Sequence, residues 1–122
     1  MNKKEEILNK LNEEINKVES QCMESLNESK DIIERLEKDG LLDNLSYDNC
    51  FDLMDVFRKI VNEYDKKEGL IYTKEVLNDL NSSIFDNNKI AQVIQNVLNY
   101  NKELGERYDT WIGMEYAIKI LN

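Results

Sequence analysis

Asp48, Asp52 and Asp55 follow one another at i, i+4 and i+7, a spacing that lines three carboxylates along one face of a helix. Like charges at these spacings repel by about 0.2–0.5 kcal/mol per pair. No lysine or arginine lies between Leu41 and Phe57 to relieve them, and Asp43 adds a further negative charge. The chemistry open to such a stripe is ionic. It attracts a basic surface, speeds the encounter and pairs with lysines or arginines on contact. Tyr47 stands beside the stripe, and Asn44 and Asn49 add hydrogen-bonding groups. Asp43, Tyr47, Asp48, Asp52 and Asp55 are therefore the candidate partner-binding residues. The plain alternative is a solvated face in an acidic protein.

Other chemistries find little support. The chain has no histidine, which removes the commonest general base and the commonest metal ligand. Ser82 and Ser83 have no histidine to activate them, and there is no Gly-x-Ser-x-Gly turn or phosphate loop. Glu5-Glu6 and Glu13-Glu14 lie among Lys3, Lys4, Lys10 and Lys17, so they read as surface ion pairs. An all-carboxylate metal site has no supporting spacing. The expectation is a protein without catalytic residues, cofactor or metal.

Residues 57–77 resemble an EF-hand in the order of Tyr64-Asp65, Gly69, Ile71 and Glu75. The calcium loop needs twelve residues, yet Asp65 to Glu75 is one short, and Lys67 stands where the third position supplies a ligand. A helix-turn-helix hairpin with Gly69 as a C-cap fits the segment better. Tyr100, Tyr108, Trp111 and Tyr116 form a second candidate surface, since tyrosine and tryptophan are frequent interface anchors. Trp111 is expected to pack on the bundle. Cys22 and Cys50, far from any Cys-x-x-Cys motif, read as small apolar residues.

The elements that must position these groups are helices. Proline is absent, so long helices run without interruption. Leu8, Leu11, Ile15, Val18 and Cys22 step by three and four along a helix expected over residues 3–39. Ser25 to Glu28 has the form of a capping box, but no glycine or proline marks a break there, so one long helix is expected. Gly40 stops it. Ser46 caps a second helix over residues 47–67, whose apolar face is Tyr47, Cys50, Phe51, Met54, Phe57, Val61 and Tyr64, widened by Leu53 and Ile60. Gly69 ends this helix, and Thr73 caps a third carrying Val76, Leu77, Leu80 and Ile84. Asp86 or Asn87 caps a fourth through Leu104, ended by Gly105. Asp109 or Thr110 opens a last helix from Trp111 to Leu121. No stretch alternates as a strand does. The expected fold is all-α, a four- or five-helix bundle with a long N-terminal helix, in one domain over residues 1–122.

Net charge is −9, with 25 acidic against 16 basic residues, which opposes nucleic-acid binding. No apolar run approaches the ~20 residues of a membrane span, and the acidic start does not resemble a secretory signal. Cytoplasm is the expected location. The expected function is a small inhibitor that occludes a basic toxin or nuclease, as an immunity protein does. A phage-encoded inhibitor of a host nuclease or defence protein and a helical adaptor or oligomerisation module are the alternatives. The Leu8–Cys22 seam leaves monomer and homodimer both open, since it can pair within the chain or with a copy.

Overall fold

Asn2 starts the first helix by accepting the Glu5 amide on its side chain at 2.9 Å. The computed structural model describes residues 2–122, apart from the Asn87 side chain. Helix α1 runs unbroken over Lys3–Lys38. Ser25 lies inside it, so the capping-box form is not used as a cap. Gly40 takes φ +69°, and the Leu41 amide reaches back to the Leu36 carbonyl at 2.8 Å, which closes the helix in a Schellman turn. Ser46 caps α2 (Tyr47–Asn78) by accepting the Asn49 amide at 3.2 Å. A 3-10 turn over Ser82–Asn87 leads to α3 (Ile90–Leu104), which Gly105 ends at φ +67°. A shorter turn, Tyr108–Thr110, leads to α4 (Trp111–Leu121). The fold is all-α, with a long N-terminal helix and no strand among the described residues.

Three sequence expectations need correction. Gly69 does not end a helix: α2 continues through it to Asn78. Its small size serves a different purpose. A methyl group on Gly69 would meet the Thr110 carbonyl and the Gly113 backbone, and one on Gly113 would meet the Lys66 carbonyl and Gly69. The pair lets α2 and α4 touch backbone to backbone. Thr73 is not a cap either. It is buried within α2, and its hydroxyl donates to the Gly69 carbonyl at 2.7 Å, four residues back. The expected third helix is thereby divided, with Val76 and Leu77 in α2 and Ile84 in the 3-10 turn. Finally, Lys89 occupies the N-cap position of α3 without a side-chain bond, and Asp86 lies inside the preceding turn. The Asn87 side chain, the other expected cap, falls outside the described residues.

Helices α1 and α2 pair as an antiparallel hairpin. Helix α4 packs on α2, and α3 packs on α4. One core unites Leu11 and Val18 of α1, Leu70 and Leu77 of α2, Phe85, the α3 residues Ile90, Ile94 and Leu98, and Met114 and Ala117 of α4. This assembly is the head. It holds Lys10 on the Ile120 carbonyl at 2.7 Å, Glu14 on the Tyr116 hydroxyl at 2.7 Å, and Lys66 over the Tyr116 ring at 3.7 Å. The hairpin outlasts it. Beyond Val18 on α1 and before Tyr64 on α2, the two helices continue as an arm outside that core. Leu11 and Val18 of the N-terminal seam are fully committed within the chain. Among the described residues no helix is long and apolar enough to cross a membrane.

Candidate partner-binding surface

The arm is held by one seam. Ser25, Ser29 and Leu36 of α1 and Leu53 and Val56 of α2 are buried along it. The seam is half polar. Ser25 donates its hydroxyl to Glu63 Oε1 at 3.1 Å, and Glu63 Oε2 is buried without a hydrogen-bond partner. Because α1 and α2 are antiparallel, the residues one step beyond the seam on each helix fall on the same side of the pair. The arm therefore has two distinguishable broad sides.

One side is acidic. Glu24, Glu28 and Asp31 of α1 and Asp52 of α2 border an open groove of about 710 Å³, with Arg35 among them. Lys59 Nζ reaches Glu28 Oε2 across it at 3.6 Å, an exposed pair of little energetic weight. The expected site residues are divided by this geometry. Asp52 lines the groove, while Asp48 and Asp55 stand exposed on its own helix face. Asp55 meets Arg58 at 3.8 Å, both in solvent. Asp43 is exposed in the connector between the helices. Tyr47 belongs to the opposite side, 78 % exposed, with its ring edge-on to Phe51 at 4.7 Å between centroids. Sequence reasoning missed Glu24, Glu28 and Asp31, although they repeat the i, i+4, i+7 spacing of the aspartate stripe. Among the described residues no three such groups converge closely enough to hold a metal ion.

The other side is apolar, and here the structure overturns an expectation. Met54, Phe57, Val61 and Tyr64, members of the apolar face expected on this helix, are 52 %, 47 %, 56 % and 51 % exposed. Met23 and Leu26 of α1 are exposed beside them, and Cys50 and Ile33 are half-buried. The reason lies in the head. Leu77 and Leu70 fix which row of α2 faces α1, and stepping back by sevens leads to Glu63 and Val56, not to Tyr64 and Phe57. The stripe that looks richest in apolar residues is therefore turned away from the seam. Both cysteines are free.

The C-terminal aromatics do not form one surface. Tyr100 and Tyr108 are exposed. Trp111 is half-buried and donates its indole N–H to the Glu106 carbonyl at 2.9 Å. The Tyr116 hydroxyl bond holds the Glu14 carboxyl below its ordinary range, and the same bond raises the Tyr116 phenol. At the root of the arm, burial pushes Asp65 up, and the neighbouring Asp109 adds to the shift. No family model, curated protein or solved structure matches this chain.

Proposed function

We propose that this chain is a non-catalytic cytoplasmic binding protein that inhibits a basic partner by occlusion, presenting the acidic side of its arm. The observation that carries the reading is the facing of carboxylates across one groove, Glu24, Glu28 and Asp31 on α1 and Asp52 on α2, with Asp48 and Asp55 exposed outside it on the same helix. Two antiparallel helices, each ~10–12 Å across, make a rod wide enough to cover a substrate cleft. Carboxylates on the rod pair with lysines or arginines that otherwise hold substrate phosphates. A toxin or nuclease is the partner whose surface has that chemistry, and neutralising it is the role of an immunity protein or of a phage-encoded inhibitor.

The experiment is affinity capture of the tagged chain from its native cells in low and high salt, with mass spectrometry of what is bound. A basic protein captured in low salt and released in high salt is the expected result. Substituting Asp48→Asn, Asp52→Asn and Asp55→Asn together is expected to slow association with that protein by about tenfold or more. A partner that binds equally well in both salts, or that ignores the triple substitution, removes the acidic side from the mechanism.

A further inference from the structure

The apolar side of the arm needs an occupant, and we propose that it is the same side of a second copy of this chain, turned end for end to build a four-helix bundle from two arms. Tyr47, Cys50, Met54, Phe57, Val61 and Tyr64 step by three, four, three, four and three, which is a coiled-coil seam on the outside of the hairpin. A seam of that period is shaped for another helix surface. The spacing also reads the same from both ends. A two-fold axis through its middle brings Tyr47 opposite Tyr64, Cys50 opposite Val61, and Met54 opposite Phe57 of the second copy, a self-complementary contact. Within the hairpin the Ser25–Glu63 bond fixes the level of α1 against α2, so the middle of this seam is level with Ile33. The same axis then carries Met23 and Leu26 towards Leu41 and Leu42 of the second copy, the exposed leucines of the connector.

Area and charge favour a copy over the basic partner. The exposed portions of these side chains amount to roughly 700 Å² per chain, close to the ~800 Å² that each side of a standard interface contributes. A continuous apolar patch of that size on a soluble surface marks an interaction site. The α2 seam itself carries no charged residue, so a basic surface docked on it finds no carboxylate there; the charges of this side, Glu19, Lys30 and Glu37, lie along α1. Docked copies instead keep both acidic sides outward and apart. The head does not obstruct the contact. Helix α4 covers Lys10 and Lys66, which lie on the helical rows of Glu24 and Asp52, the acidic side. This inference is independent of the proposed function, since the two use opposite sides of the arm.

The test is light scattering on the eluting full chain over about 1–100 µM, a range that resolves dissociation constants of micromolar order. The expected mass is twice the 14.4 kDa of one chain. The Phe57→Glu and Val61→Glu double variant, changed only at exposed positions, is expected to elute as a monomer with its helical circular dichroism retained. A wild-type chain that stays at 14.4 kDa throughout overturns the proposal, as does a dimer that survives the double variant. Orientation is read separately by oxidising the Cys22→Ser, Val61→Cys variant. A crosslink between position 61 of one chain and Cys50 of the other is expected. A crosslink joining two Cys50 residues excludes the end-for-end arrangement.

Discussion

Head and arm are built from the same two helices, yet their rows of side chains are inverted. Towards the open end of the hairpin the inner rows hold Leu11 and Val18 on α1 and Leu70 and Leu77 on α2, all buried. Seven residues further into the arm, the same rows hold Ser25 on α1 and Glu63 on α2. The outer rows change in the opposite sense. Glu75 and Asn78 stand at the head on the rows that carry Val61 and Tyr64 about four turns earlier. The apolar stripe of α2 thus migrates around the helix between head and arm. Two helices that share a serine and a glutamate inside and show phenylalanine and methionine outside gain little from their own pairing. The head is a finished core and the arm is half of one.

The largest test of that contrast sets Leu77→Ala against Val61→Ala in chemical denaturation. Leu77 is fully buried, so its truncation is expected to cost about 2–5 kcal/mol. Val61 is more than half exposed, and for a single chain at high dilution its truncation is expected to stay within about 0.5 kcal/mol. Equal losses would mean that the arm already has a core of its own. Next in size is Gly69→Ala. The added methyl forces α2 and α4 apart, and a loss of about 1–3 kcal/mol in the same assay is expected, with rescue absent because Gly113 is already minimal.

A gain is expected from filling the arm. Ser25→Ala with Glu63→Leu replaces the buried, incompletely bonded carboxylate by packing, and should raise stability by about 1 kcal/mol or more. Amide hydrogen exchange checks where the gain falls. Arm amides should exchange faster than head amides in the wild type and slow in the double variant. Head amides that respond more than arm amides would contradict the division. The smallest effect sharpens the head alone. Tyr116→Phe removes the hydroxyl bond to Glu14 and should cost about 1 kcal/mol at neutral pH. The folded Glu14 carboxyl titrates below its unfolded value. The difference between wild type and variant is therefore complete above about pH 4.3 and disappears as pH falls through the folded value. A difference that does not change with pH would assign the loss to packing.

Local signals were readable from the residues alone. Gly40, Ser46 and Gly105 mark ends that depend only on their own dihedral angles or side-chain bonds. Gly69 was misread because glycine serves both as a stop and as a place of close approach, and the second use depends on Gly113, forty-four positions away. The aspartate stripe was visible on α2. Its counterpart on α1 has the same spacing, but which helix lies across the groove is a property of the hairpin, not of either segment. The exposure of the apolar stripe has a similar cause. A helix wheel shows that adjacent rows compete, and only the register set by Leu70 and Leu77 decides between them.

The glycine contact also has a mechanical meaning. Helix α2 has no break between Tyr47 and Gly69, a span of ~33 Å at 1.5 Å per residue, so the arm is a rigid lever and the Gly69–Gly113 crossing is its fulcrum. Load applied at the tip is delivered there. Trp111, the only tryptophan, lies two residues from Gly113 and one from Thr110, whose carbonyl occupies the place a methyl group on Gly69 would take. Indole fluorescence is therefore the expected readout of load on the arm, and a signal that stays constant when the tip is bound would separate the lever from its fulcrum.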